Sequence, residues 1–269
     1  MPLEPIVLDQ LRRLEPTDAF FDTIRALGDE VVPVGPFRAI LDPRTDEIWA
    51  SQAVPVEPLG SAAEAAEHVG ALRRLFAARG RTTSVEFNEP LWPELPALLE
   101  GAGLVEYERE PLMLCTREGF RPYANPEATV RFLQPHDPDA DLSAFQAIFF
   151  EVLVEKPWEE TPERLDRFRA EVERVGGRGH ALATLDGRPV GTGFISSSNH
   201  VGEIARVGTV PAARRRGVAA TLTSFMMRDR FEHGDTLIWL SAADAPAQAL
   251  YEKLGFRAAG DRVYFRERP

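Results

Sequence analysis

The residues with the clearest chemical content in this chain of 269 lie in one run, Glu203-Ile204-Ala205-Arg206-Val207-Gly208-Thr209-Val210-Pro211-Ala212-Ala213-Arg214-Arg215-Arg216-Gly217-Val218-Ala219-Ala220. Its first half reads as a strand that ends at Pro211, and residues 215–231 have helical periodicity through Val218, Leu222, Phe225 and Met226. A helix that opens straight after a turn presents backbone N–H groups with no partner inside the helix, at the positive end of its dipole. Gly217, Ala219 and Ala220 are small enough to let an anion reach that backbone, and Arg214, Arg215 and Arg216 bring positive charge. The chemistry on offer is the binding of a diphosphate at a helix start. By itself the run also fits an arginine-rich, solvated helix start that holds nothing.

The elements that must position this run alternate between strand and helix. A short strand is expected over 129–133, followed by amphipathic helices over 138–154 and 162–175, the second opened by Thr161 as N-cap and Pro162 behind it. Apolar runs at 180–185 and 188–196 flank Asp186-Gly187, a two-residue hairpin turn, and the strand 201–210 follows. Beyond the helix come a buried strand at 236–240, a helix over 246–254 stopped by Gly255, and one or two strands through Phe265. Gly191-Thr192-Gly193 lies inside a strand and completes no dinucleotide fingerprint, so a bulge is expected there. Phe149, Phe150 and Trp158 read as helix core rather than a pocket roof.

The N-terminal half follows a weaker version of this script. A hairpin is expected from 37–41 and 47–56 around a turn at 43–46, then a helix over 62–78 ended by Gly80, a strand at 83–87, a helix over 93–100 ended by Gly101, and a closing strand at 112–115. The segment Ser84-Val85-Glu86-Phe87 with Leu98-Leu99-Glu100-Gly101-Ala102-Gly103-Leu104 parallels Ile238-Trp239-Leu240 with Leu250-Tyr251-Glu252-Lys253-Leu254-Gly255-Phe256 at a near-constant offset, which suggests an internal duplication. Two α/β domains are therefore expected, 1–125 and 126–269, with residues 121–125 as the linker.

Composition narrows the function classes. The net charge of −11 argues against nucleic acid as the main partner, because phosphate backbones need a basic surface. That charge sits almost wholly in residues 1–127, at about −10. No apolar run is long enough for a membrane span, and residues 1–10 carry Glu4 and Asp9 where a secretory signal would be basic and apolar, so no membrane and a cytoplasmic location are expected. Cys115 is the only cysteine and reads as a small buried hydrophobe; the five histidines have no metal-ligand spacing, so no metal is expected.

The pattern Arg214-x-x-Gly217-x-Ala219 after a strand and a proline resembles the Gln/Arg-x-x-Gly-x-Gly/Ala pyrophosphate loop of the GNAT acetyltransferase superfamily. Downstream, Asp244-Ala245-Pro246-Ala247-Gln248-Ala249-Leu250-Tyr251-Glu252-Lys253-Leu254-Gly255-Phe256 is similar to that family's Asn-led segment ending in Leu-Tyr-Glu-Lys-Leu-Gly-Phe, and the similarity runs from Thr129 to the C-terminus. The resemblance implies two GNAT-like domains, each a mixed, mostly antiparallel sheet flanked by helices, with acetyl-CoA as co-substrate. It implies that Val207, Gly208 and Thr209 pair with the pantetheine arm, and that backbone groups of Arg214, Arg215, Arg216, Gly217, Val218 and Ala219 hold the pyrophosphate. Asp244 stands where the family has an asparagine that touches the cofactor arm. Glu203 takes the place of a base found in several members and, by strand alternation, is expected to face the same side as Ala205, Val207 and Thr209. Tyr251 takes the place of the general acid that protonates the leaving thiolate.

In the N-terminal half, Glu57-Pro58-Leu59-Gly60-Ser61 replaces the arginine-glycine loop, so residues 1–125 read as a degenerate GNAT-like domain. The expected reaction is acetylation of a primary amine by direct attack on the thioester, on a small molecule. Antibiotic amine, polyamine, amino acid and protein N-terminus stay open as acceptors, and a homodimer is an open expectation. The rival reading is a non-catalytic acyl-CoA-binding regulatory module.

Overall fold

The computed structural model describes residues 5–26, 28–45 and 47–268. Residues 1–4, part of the start read for an export signal, and Asp46, in the turn expected at 43–46, lie outside the described residues. In chain order the first elements are α1 (Pro5–Arg12), α2 (Asp18–Ala26), β1 (Glu30–Val34), β2 (Phe37–Leu41), β3 (Ser51–Pro55), α3 (Ala62–Ala77), β4 (Ser84–Asn88), α4 (Leu95–Gly101) and β5 (Leu104–Thr116). Then follow β6 (Ala128–Phe132), α5 (Asp139–Phe149), α6 (Pro162–Arg174), β7 (His180–Leu185), β8 (Arg188–Ser198), β9 (Val201–Thr209), α7 (Val218–Glu232), β10 (Leu237–Ser241), α8 (Ala245–Lys253) and β11 (Arg257–Glu267).

The chain forms two compact units. The first contains residues up to Leu112, Ser241–Asp244, and the chain from Ala258 on; the second contains Met113–Leu240 and Ala245–Arg257. This differs from a single break at residue 125, and the reason is strand pairing. β11 runs antiparallel to β4, with Val263 opposite Phe87 and Phe265 opposite Val85, and all four side chains belong to the core of the first unit. Burying them there outweighs chain proximity. The strand order of the first unit is β1-β2-β3-β4-β11-β5. Phe37, Leu72, Phe76 and Leu99 fill its core, and Phe21 of α2 packs on Ile40 and Val54.

In the second unit β10, β9, β8, β7 and β6 lie in that order. β10 and β9 are parallel and the other pairs antiparallel, a mixed, mostly antiparallel sheet with helices against it. The hairpin between β7 and β8 turns at Asp186 and Gly187, with φ of 51° and 72°, the two positive angles that a two-residue turn of this hand requires. Thr161 caps α6 as its sequence predicts, its hydroxyl accepting from the Arg164 amide at 3.3 Å. Leu142, Phe145, Leu165, Phe168 and Leu182 make the core between α5, α6 and the sheet. On the other side Leu222 and Met226 of α7 press on Gly193, where a Cβ would come within 3.0 Å and 2.8 Å of them, so a larger residue would force their side chains to move. The expected helix over 138–154 is α-helical only to Phe149 and finishes as a π-helical turn, Phe150–Val154, closed by Glu155 at φ 57°.

Residues 121–125, expected as a linker, are instead strapped along α7. The Tyr123 amide donates to Ser224 Oγ and the Asn125 amide to Thr221 Oγ1, both at 2.9 Å.

Candidate functional site

The site is organised by one irregularity in β9. Opposite β8, Glu203 pairs with Ser196 and Ala205 with Phe194; then the register slips, and Gly208 pairs with Thr192 and Thr209 with Gly191. Arg206 and Val207 together oppose Gly193, and Arg206 takes φ 56°. This is a β-bulge, in the Gly191–Gly193 neighbourhood where the glycines suggested one, but its extra residue belongs to β9. Paired residues share a face. Glu203 and Ala205 therefore stand on the face of Gly208, and Thr209 stands on the other. The expected common side for Glu203, Ala205, Val207 and Thr209 is corrected on this point: one extra residue reverses the alternation beyond it. The face of Gly208 lies against the π-helical turn, for a Cβ there would sit 3.3 Å from Val152 Cγ1 and 3.5 Å from Leu153 Cγ.

β10 pairs with β9 at three positions, Leu237 with Val201, Ile238 with Gly202 and Trp239 with Glu203. β9 runs six residues further, so the two parallel strands part just past Glu203, and Val207, Gly208 and Thr209 line the diverging stretch. Thr209 Oγ1 is buried with no hydrogen-bond partner among the described residues, as expected of a wall built for a polar guest. Past a short 3-10 turn (Pro211–Ala213), Arg214 is extended, with its Nε donating to the Thr209 carbonyl at 3.2 Å.

α7 begins at Val218, three residues later than its periodicity predicts, because Arg215 and Gly217 take φ of 61° and 74°, outside the helical region. Gly217, as N-cap, has no side chain with which to cap it. Its carbonyl accepts the first helical bond, from Thr221 N at 3.0 Å, leaving the amides of Val218, Ala219 and Ala220 without an intrahelical partner. Residues of opposite backbone hand in succession turn their N–H groups into a concave nest for an anion. Arg214, Arg215 and Arg216 are exposed around it. Arg216 is paired with Glu127 at 3.1 Å and gives its carbonyl to Asn125 Nδ2 at 2.8 Å, while the Tyr123 hydroxyl lies 2.5 Å from where a Gly217 Cβ would stand. These features fit a diphosphate with a long arm.

Tyr251 is buried on α8, its ring edge-on to Phe256 at 5.7 Å. Asp244 is exposed immediately ahead of α8 and is counted in the first unit. Cys115 is buried, and burial pushes its thiol up to about 12, which makes it inert as a nucleophile at neutral pH. Phe149 is buried, while Phe150 and Trp158 are half-buried with their rings 5.1 Å apart beside the π-helical turn. Among the described residues no group of acidic, histidine or cysteine side chains is placed to hold a metal, and no helix is long and apolar enough to cross a membrane.

Residues 143–256 match the model of the acetyltransferase (GNAT) family. No curated protein matches the sequence. Among solved structures, a GCN5-related N-acetyltransferase from Kribbella flavida is 26% identical with a TM-score of 0.72, covering 91% of this chain and 93% of that one. A GCN5-related N-acetyltransferase from Sphaerobacter thermophilus shares the fold at 17% identity and TM-score 0.66, over 87% of this chain and 78% of its own. A tandem GNAT protein from the clavulanic acid biosynthesis pathway does so at 16% and 0.60, over 87% and 79%. The open helix start, the parted strands and the matched segment coincide, and residues 143–256 carry a GNAT-family acyltransferase domain.

Proposed function

We propose that the chain acetylates a primary amine of a small molecule with acetyl-CoA, by direct attack of the amine on the thioester. The observation that carries this reading is the uncapped start of α7 directly downstream of the parted end of β9. The amides from Arg214 to Ala219 hold the pyrophosphate, with the three arginines beside it. Val207, Gly208 and Thr209 offer backbone groups to the pantetheine arm in the gap left by β10. Acetyl-CoA supplies an acetyl group activated as a thioester.

Glu203 stands at the last paired position before the strands diverge, on the face of Gly208. From there it takes the proton that the ammonium must lose, directly or through water. Tyr251 returns a proton to the leaving thiolate. Asp244 in place of an asparagine removes one amide contact to the arm.

The first unit is read as a degenerate GNAT-like domain and the chain as a tandem GNAT protein of the cytoplasm. Its likeness over most of its length to a tandem GNAT protein supports this, as do the two strand–helix–strand segments, β4-α4-β5 and β10-α8-β11. The test is calorimetric titration with CoA, followed by release of free CoA from acetyl-CoA on addition of a panel of small amines. Absence of CoA binding, or binding without turnover on any amine, overturns the reading.

A further inference from the structure

Behind the bulge lies a polar group, with His180 buried and Arg206 and Glu171 half-buried, that the proposed chemistry leaves unused. Arg206 sends its guanidinium between the rings of Phe149 and Phe194, 5.3 Å and 5.2 Å from their centres. There Arg206 Nη1 meets Glu171 Oε1 of α6 at 3.1 Å, and the same oxygen accepts from His180 Nε2 at 3.0 Å. His180 has no exposed surface, is ringed by Phe145, Phe168 and Phe194, and its Nδ1 is buried without a partner among the described residues. Burial would raise the Glu171 carboxyl, but Arg206 and His180 hold it well below the usual carboxylate range. Burial lowers the His180 imidazole, and the bond to Glu171 only partly offsets that. The group is thus a carboxylate shared by one arginine and one neutral histidine that donates from Nε2.

Two features set this apart from an ordinary ion pair. Even a half-buried pair of this kind is a poor device for stability, since desolvation offsets much of the attraction, and its best-attested use is to specify one geometry among several. Its arginine is also the residue at φ 56°, a conformation a non-glycine side chain adopts only when its surroundings impose it. The slip at this bulge puts Gly208, rather than Val207, on the face of Glu203.

We propose that Arg206, anchored by Glu171 and His180, is the positioning residue that locks the bulge of β9 and so sets both the amides of Val207–Thr209 and the facing of Glu203. If the anchor goes, the bulge is free to move along the strand, and each one-residue step reverses every side chain it passes. Arg206 touches neither acceptor nor thioester in this role. The inference rests on the proposed coenzyme A site, and its test is built so that the two can fail separately.

The informative substitution is Arg206→Gly, because glycine accepts positive φ without strain while losing the anchor. Hydrogen exchange on the protein without cofactor reads the lock directly: amides of residues 204–209 should exchange faster in R206G and in Glu171→Gln, and Arg206→Lys, which keeps the charge, should restore much of the protection. In calorimetry, R206G should bind CoA about tenfold more weakly, while the nucleotide half of CoA, lacking the pantetheine arm, should bind as it does to the parent chain. If R206G does not fold, E171Q carries the loss of protection and R206K the rescue. Wild-type exchange over 204–209 in folded R206G or E171Q overturns the inference, as does equal weakening of CoA and its nucleotide half. Failure of the parent chain to bind CoA would sink the cofactor reading alone, leaving the exchange result to decide the lock.

Discussion

Helices α3 and α7 hold the same place in their units, each leading from one strand to a parallel neighbour, β3 to β4 and β9 to β10, yet their first turns are completed in opposite ways. At α3, the Ser61 hydroxyl accepts from the Glu64 amide at 3.3 Å, and the Glu64 carboxylate reaches back to the Gly60 amide at 2.8 Å, a reciprocal cap. The helix caps one of its own donors and puts a negative charge where an anion would sit. At α7 the cap is a glycine, the amides are left over, and the nearby charges are arginines. A helix start that closes on itself is a structural element; one left open at a cost in stability is a place for a ligand.

The comparison supports the proposal that the chemistry belongs to the second unit, and it can be broken there. The largest effect is expected from Glu203→Gln. Loss of a general base lowers the rate by about 100- to 10,000-fold, seen as slower release of free CoA with an accepted amine, while CoA affinity stays unchanged. A variant with near-normal turnover would remove Glu203 from the reaction. Gly217→Val comes next. Positive φ costs a side chain about 1–2 kcal/mol, and the Cβ would run into the Tyr123 hydroxyl at 2.5 Å. The heat of CoA binding should disappear at concentrations that saturate the parent chain.

Removing charge while keeping the backbone nest should cost less. Arg214→Ala with Arg216→Ala should weaken CoA by about 10- to 100-fold at low salt, in line with the worth of charged hydrogen bonds, and by less as salt rises. Salt-independent affinity would mean the arginines are only solvated. The smallest effect belongs to the first unit. Ser61→Ala should lower stability by about 1 kcal/mol in denaturant unfolding and leave CoA binding untouched. Weaker CoA binding in that variant would erase the contrast between the two helix starts.

Much of this was legible in the residues. The alternation of strands and helices over 180–254, the turn at Asp186-Gly187, the Thr161 cap and the arginine- and glycine-bearing start of α7 all depend on neighbours a few positions apart, and such signals survive in sequence. The start of α7 was misread by three residues because periodicity continues through Arg215 while the backbone does not. The π-helical turn after Phe149 and the strap formed by residues 121–125 left no local signal. The anchor at Arg206 offered one: a charged residue in the middle of a strand that, Glu203 apart, is apolar or small, two positions from a glycine. Its partners Glu171 and His180 stand 35 and 26 positions away, and only packing brings them together.

The amino-acid order alone therefore determined that an open, arginine-flanked helix start follows a strand, because amide exposure, small residues and charge are set within one turn of chain. Tertiary structure decided which way Glu203 faces, since side-chain facing beyond a bulge depends on which residue of the partner strand is skipped. It also decided that β11 completes the first unit, since its partner β4 lies far back in the chain, and burial in a shared core selects among pairings that local propensity leaves equal.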